Sequence, residues 1–164
     1  EWMLLSIILL GTEIIIVIVM VAVFMKFLSK IMAKNMPEDI KEAILARPND
    51  PRGITIVGYI FAILLFICLI SLYIWAGIDA KTKNMEMMQI FLRYVLLLDG
   101  YKLFDMICLD WWLITKSGIY QRLYPETIGC KSYEKMGYNT KSQVIKLVLF
   151  TATAFFIALI INML

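Results

Sequence analysis

Three long apolar runs constrain this chain more than any other feature of its sequence. They extend from Trp2 to Phe27, from Ile54 to Ile78 and from Val144 to Leu164. A membrane-spanning helix needs about 20 consecutive apolar residues, because the hydrocarbon core is about 30 Å thick and a helix rises about 1.5 Å per residue. The chain is 62% hydrophobic and only 18% charged, which is too apolar for a soluble domain. The sequence therefore predicts an integral membrane protein.

A fourth segment, from Met88 to Ile114, is long enough to cross a bilayer but is interrupted by charges. The charged residues within it are Arg93, Asp99, Lys102, Asp105 and Asp110. A charge at the bilayer centre costs roughly 2.5–3.5 kcal/mol on insertion scales, so such residues face a protein interior or a water-filled cavity. We predict an all-α, four-helix transmembrane bundle in a single domain, 1–164, with spans at about 2–27, 54–78, 88–114 and 144–164.

The distribution of basic residues predicts the orientation of the bundle. The first connection carries Lys26, Lys30, Lys34, Lys41, Arg47 and Arg52, the second only Lys81 and Lys83, and the third Lys116, Arg122, Lys131, Lys135, Lys141 and Lys146. Short connections rich in lysine and arginine stay in the cytoplasm. We therefore expect connections 28–53 and 115–143 to be cytoplasmic and both termini to be outside, in a multi-pass protein of the cell membrane.

The first cytoplasmic connection is predicted to contain a short amphipathic helix. Pro37 suits a first helical turn, Ile40 and Ile44 fall on one face, and Pro48 ends the helix at about Arg47. We interpret it as a linker helix on the membrane surface, with a partner-binding helix as the alternative.

The second cytoplasmic connection is rich in aromatic residues. It contains Tyr120, Tyr124, Tyr133 and Tyr138. Disordered segments are poor in aromatic residues, so we expect an ordered cap rather than a free loop.

Most charges of the fourth segment share one side of its predicted helix. At 100° per residue, Asp99 and Asp110 differ by only about 20°. Lys102 lies three residues from both Asp99 and Asp105, a spacing at which side chains meet, so it could bridge two carboxylates. Arg93 lies on another face, nearer the outer end.

The first span carries a partner for this polar face. Glu13 lies as deep from the outer end as Asp99 and Lys102, and we expect it near that level, in contact with Lys102 or Arg93. The candidate site is therefore Glu13, Arg93, Asp99, Lys102, Asp105 and Asp110. Its carboxylates outnumber its cations by two, so either protons or a bound cation balance the charge, or the network only fixes helix pairing.

Composition excludes several chemistries. The chain has no histidine, which removes Ser-His triads and histidine-ligated zinc or haem. Its three cysteines lack a paired spacing and are read as free thiols. We therefore expect no cofactor. The net charge of +3 follows from the cytoplasmic connections, so nucleic acid is not an expected partner.

An enzyme is the less favoured interpretation. Asp99-Gly100, followed by Asp105 and Asp110, resembles the start of the aspartate motif of membrane phosphotransferases that act on CDP-linked head groups. However, Leu103 and Phe104 stand where that family has Ala-Arg, and the later glycine is missing. A different membrane enzyme acting on lipid would need Asp110 and the cap tyrosines to converge on one pocket.

The last 60 or so residues carry a further resemblance. The segment LFDMICLDWWLITK, then YPETIGCKSYEKMGYNTKSQ and a closing apolar run, resembles small four-span bacterial membrane proteins of uncharacterised function. The matching positions are Asp110, Trp111, Pro125, Glu126, Thr127, Gly129, Tyr133 and Gly137. The histidine that this family has near the start of its last span is absent here. The resemblance implies a bacterial polytopic fold and no activity.

Two functions follow from these observations. The first is a transport function, in which the membrane protein binds or passes a cation, a proton or a small cationic solute at the candidate site. The second is a non-catalytic scaffold or accessory subunit, in which the charges hold helices together and the partner is a second copy or another membrane protein.

Overall fold

The computed structural model describes residues 1–164 and is built from helices, with no strand. The α-helices are α1 (Trp2–Phe27), α2 (Ser29–Ala33), α3 (Glu38–Leu45), α4 (Arg52–Thr82), α5 (Met87–Phe104), α6 (Ile119–Leu123) and α7 (Thr140–Met163). A π-helical segment, Asp105–Leu113, follows α5 directly, and two short 3₁₀ turns, Pro125–Thr127 and Lys131–Glu134, follow α6. The all-α class predicted from the sequence is confirmed.

Three of these helices, α1, α4 and α7, are long and apolar enough to cross a membrane. Many of their large apolar side chains are exposed, as in helices that face lipid. The charged fourth segment forms α5 and the π-helical segment. It is not among the candidate spans, because Arg93, Asp99 and Lys102 make the 18-residue helix α5 too highly charged. The structure thus supports a membrane-embedded helical protein with three candidate spans.

The chain divides into two compact units. Unit 1 contains residues 1–17, 66–105 and 140–164, and unit 2 contains residues 18–65 and 106–139. The core of unit 1 is apolar. It consists of Leu9, Leu72, Ala76, Ala80, Met85, Ile90, Tyr94, Leu97, Ala154 and Ala158.

Small residues allow close helix packing within unit 1. Helix α5 packs along α7, where Ala154 and Ala158 are completely buried. A Cβ atom at Gly100 of α5 would lie 3.1 Å from Leu10 of α1. Small residues at such positions let backbones approach, which is how membrane helices associate without a hydrophobic driving force.

Unit 2 is organised around a second core. It consists of Met25, Ala33, Met36, Ile40, Ile44, Ile114, Tyr120, Tyr124 and Tyr133. Helix α3 packs on α2 and on both 3₁₀ turns. The second connection is ordered, as expected, because it folds into these short elements and buries Tyr120, Tyr124 and Tyr133.

The amphipathic helix predicted in the first connection is α3. Ile40 and Ile44 are fully buried in the second core, so the apolar face that the pattern indicates packs on protein. Lys30 holds the end of this helix, donating to the carbonyl oxygens of Leu45 at 3.3 Å and Arg47 at 2.6 Å. A cation at a helix C-terminus satisfies carbonyl groups that have no partner inside the helix.

Candidate functional site

The candidate residues make several separate hydrogen bonds and ion pairs. Five of the six lie in unit 1, and the sixth, Asp110, lies in unit 2. The five in unit 1 divide into separate contacts, of which the charge pattern indicated only the pair of Lys102 with Asp105.

Arg93 is the most completely buried charge of unit 1. Its side chain is 0% exposed, and its Nη1 donates to Asp79 at 2.8 Å and to the carbonyl oxygen of Ala76 at 3.0 Å. Its Nε donates to Ser6 at 3.1 Å, while Nη2 is buried without a partner. One guanidinium on α5 therefore connects α1 and α4 through a bonded ion pair and two neutral acceptors.

Sequence reasoning missed Asp79, although a signal for it exists. The connection between α4 and α5 is short, so the two helices form a hairpin. Asp79 and Arg93 are equally far along the chain from Glu86 in that turn, and residues so placed lie at similar depths. Lys83 also contacts Asp79, at 3.0 Å, and completes the group.

Glu13 is 1% exposed and pairs with a tyrosine instead of a cation. Its Oε1 accepts a hydrogen bond from the hydroxyl of Tyr73 at 2.5 Å, and its Oε2 is buried with no partner. The expected contact with Lys102 or Arg93 is absent, because both cations are engaged by other carboxylates. A second tyrosine, Tyr94, donates to the carbonyl oxygen of Tyr73 at 2.8 Å.

Asp99 has a similar environment. Its Oδ2 accepts a hydrogen bond from the hydroxyl of Thr151 at 2.7 Å, and its Oδ1 is buried without a partner. Asp99 is on α5 and Thr151 is on α7, so the contact joins the two helices that pack along each other in unit 1.

Lys102 and Asp105 form an ion pair at the i, i+3 spacing that the sequence indicates. Lys102 is 5% exposed, so this is a largely buried pair. Since the contact partner of Asp99 is Thr151, Lys102 holds one carboxylate here rather than bridging two.

Asp110 belongs to a hydrogen-bonded group in unit 2. The amide nitrogen of Asn139 donates to Asp110 at 2.9 Å, and the indole N–H of Trp111 donates to the amide oxygen of Asn139 at 3.0 Å. Asp110 and Trp111 lie on the π-helical segment. Such segments are rare and are frequent at functional sites.

The cap tyrosines beside this group are neutral hydrogen-bond donors. Burial raises the pKa of Tyr124 to about 12, and burial also raises the pKa values of Tyr120 and Tyr133. The Tyr124 hydroxyl donates to the carbonyl oxygen of Met25, and that of Tyr133 donates to Thr127 at 2.7 Å. These phenols are therefore engaged in hydrogen bonds and packing contacts within unit 2.

The arrangement leaves two of the candidate carboxylates of unit 1 without a cation. Asp79 pairs with Arg93 and Lys83, and Asp105 pairs with Lys102. Glu13 and Asp99 each accept one hydroxyl group and each keep one buried oxygen without a partner. No group of three or more Asp, Glu, Cys or His side chains is arranged to hold a metal ion.

Comparisons with protein-family models, with curated proteins and with solved structures found no match.

Proposed function

We propose that this is a four-span protein of the cell membrane that binds, and passes, a proton or a small cation at Glu13 and Asp99. The observation that carries the proposal is the burial of Glu13, at 1% exposure, with one hydroxyl partner and one oxygen that has none. A buried carboxylate without a cation is strongly disfavoured, so it is neutralised by a proton or by a cation that enters from outside. Asp99 repeats the same arrangement on α5.

Neutral hydroxyl groups suit a carboxyl group that changes its charge. A tyrosine or threonine hydroxyl can donate to a carboxylate and can rotate to accept from a carboxylic acid. A lysine or arginine partner would instead favour one state, the ionised one. Tyr73 beside Glu13 and Thr151 beside Asp99 therefore support reversible uptake of a proton or cation at these two positions.

The four-span topology with both termini outside is part of this proposal. Charged side chains of α5 contact α1, α4 and α7 in unit 1 through Ser6, Asp79 and Thr151. A helix whose charges are paired in this way is sheltered from lipid, which is the condition under which a charged helix spans a bilayer. The resemblance to bacterial four-span proteins supports a bacterial cytoplasmic membrane as the location.

The experiment is thermal unfolding of the detergent-purified protein over a pH range and with Na⁺ or K⁺, on the wild type, Glu13→Gln and Asp99→Asn. Ligand that binds only the folded state raises its stability by mass action. We expect a pH- or cation-dependent shift in the wild type that shrinks in both variants. Lys41→Gln is the control, because its ion pair with Glu38 lies on the surface of unit 2. An equal shift in wild type and both variants would refute the proposal.

A scaffold or accessory subunit is the second candidate, and the Arg93 group favours it. One buried guanidinium bonded to two other helices is an effective device for fixing helix pairing. In that case Asp99→Asn alone would destabilise strongly, whereas Asp99→Leu combined with Thr151→Val would be tolerated. The exposed apolar surface of α4, with Ile63, Phe66 and Ile67, would then contact a second copy or another membrane protein.

A further inference from the structure

We infer that unit 2 carries a binding site for the headgroup of an anionic phospholipid, separate from the carboxylates of unit 1. A cavity of about 490 Å³ lies between the end of α1, the start of α2 and the start of α4. This volume is within the range of ligand-binding pockets, about 300–1,000 Å³. Its lining includes Phe27, Ile31, Asn49, Arg52, Thr55 and Tyr59.

The cavity lies where two candidate membrane-spanning helices end. Helix α1 ends at Phe27 and helix α4 begins at Arg52, so the wall contains the last residue of one apolar run and the first residues of the next. Phe27 and Leu28 approach α4 so closely that a Cβ atom at Gly58 would lie 2.6 Å from the Cβ of Phe27. A lipid at the membrane surface presents this same combination, with acyl chains on one side and a charged headgroup on the other.

The charges of the lining favour an anion. The lining contains two cations, Lys30 and Arg52, and one carboxylate, Asp50. The three donors of the Lys30 ammonium are taken by Leu45, Arg47 and Asn49, so this lysine supplies charge but no further hydrogen bond.

Arg52 is the side chain free to bind a phosphodiester. It is exposed, and its guanidinium makes no ion pair or hydrogen bond within the chain. A guanidinium group matches phosphate geometry with two parallel N–H donors. Thr55, one turn further along α4, lies on the same wall and donates its hydroxyl to the carbonyl oxygen of Pro51 at 3.4 Å.

The test measures binding of dioctanoyl phosphatidylglycerol to the full-length protein in detergent by native mass spectrometry. Wild type, Arg52→Gln and Arg122→Gln are compared, with dioctanoyl phosphatidylcholine as the neutral-headgroup probe. Arg122 is the matched control, since it is an exposed arginine of unit 2 outside the cavity lining. We expect Arg52→Gln to weaken binding about fivefold, which corresponds to about 1 kcal/mol for one basic residue at an anionic surface.

Asp50→Asn provides a result in the opposite direction. It removes the carboxylate that repels the anionic headgroup, so we expect tighter binding of phosphatidylglycerol. A misfolded variant could not show tighter binding. Three results would overturn the inference: equal weakening by Arg52→Gln and Arg122→Gln, equal binding of phosphatidylcholine, or glycerol 3-phosphate binding as tightly as the lipid. The last would identify a soluble phosphate ester as the ligand.

Discussion

At the scale of single residues, the polar side chains of unit 1 fall into two kinds. Arg93 and Lys102 are held by carboxylates, as buried cations must be. Glu13 and Asp99 are held by hydroxyl groups. Of the first kind, Arg93 joins neighbouring helices, and we propose that the second kind changes its charge.

The ion pair between Arg93 and Asp79 gives the largest expected loss of stability. Asp79→Asn removes the carboxylate from a guanidinium that is 0% exposed, and breaking a buried pair costs about 3–5 kcal/mol. We expect a large fall in the thermal unfolding temperature in detergent. Asp79→Leu with Arg93→Leu removes both charges and should recover much of the loss. An unfolding temperature of Asp79→Asn equal to that of the wild type would show that the ion pair does not stabilise the protein.

Tyr73→Phe tests the hydroxyl group beside Glu13. It leaves a buried carboxyl group with no hydrogen bond at either oxygen, at a cost of about 1–3 kcal/mol. Unfolding of Tyr73→Phe, Glu13→Gln and the double variant measures the coupling between them. Strictly additive losses in this cycle would mean that the two side chains do not interact.

At the scale of elements, the sequence predicts helices well and their contacts less well. The apolar runs predict α1, α4 and α7 because length and hydropathy are sufficient to define a span. The short helix α3 follows from Pro37 and Pro48 at its two ends. The partners Ser6, Tyr73 and Thr151 were not predicted, because a count of charges does not include neutral hydroxyl groups on apolar helices.

The close approach of α1 and α4 in unit 2 depends on Gly58. A Cβ atom there would lie 2.6 Å from Phe27 Cβ, which is fixed to the backbone and cannot swing away. We expect Gly58→Ala to destabilise by about 1–3 kcal/mol through overpacking. Gly53→Ala is the matched control on the same helix, with open space around it, and should be neutral or stabilising by less than about 1 kcal/mol. Equal unfolding temperatures for the two variants would contradict this packing.

The contact between α3 and the second connection should depend on pH through Asp39. Burial opposes ionisation of Asp39, but hydrogen bonds from the backbone N–H groups of Ser132 at 3.0 Å and Ile40 at 2.9 Å outweigh it, so the pKa of Asp39 is lowered. The corresponding stability is fully present above the ordinary aspartate pKa, about 3.9, and is lost as the pH falls through the lower folded value.

Asp39→Asn should therefore flatten the fall in stability below about pH 4. Unfolding followed across that range in detergent measures the slope. Glu38→Gln serves as the control, because its carboxylate is 71% exposed and contacts only Lys41. A slope that Asp39→Asn leaves unchanged would show that this carboxylate does not stabilise the contact.

At the scale of the whole molecule, the number of spans decides whether the two termini lie on the same side of the membrane. Four spans would place both termini on the same side, which the basic connections predict to be the outside, whereas the three most apolar helices alone would place them on opposite sides. Glu1→Cys and Leu164→Cys, each in a background without Cys68, Cys108 and Cys130, can be labelled with a membrane-impermeant maleimide in intact cells. We expect both to react. Labelling of only one would exclude α5 as a span.

We propose that the buried Glu13 and the half-buried Asp99 exchange a proton or a cation. Infrared difference spectroscopy of the reconstituted protein measures this directly, through the carbonyl stretch of a protonated carboxylic acid. We predict a band that is present in the absence of added cations, that is lost on raising the pH or adding Na⁺ or K⁺, and that is missing from Glu13→Gln with Asp99→Asn. No band at any pH, or a band unaffected by the double substitution, would contradict the claim and leave the scaffold function as the account of these charges.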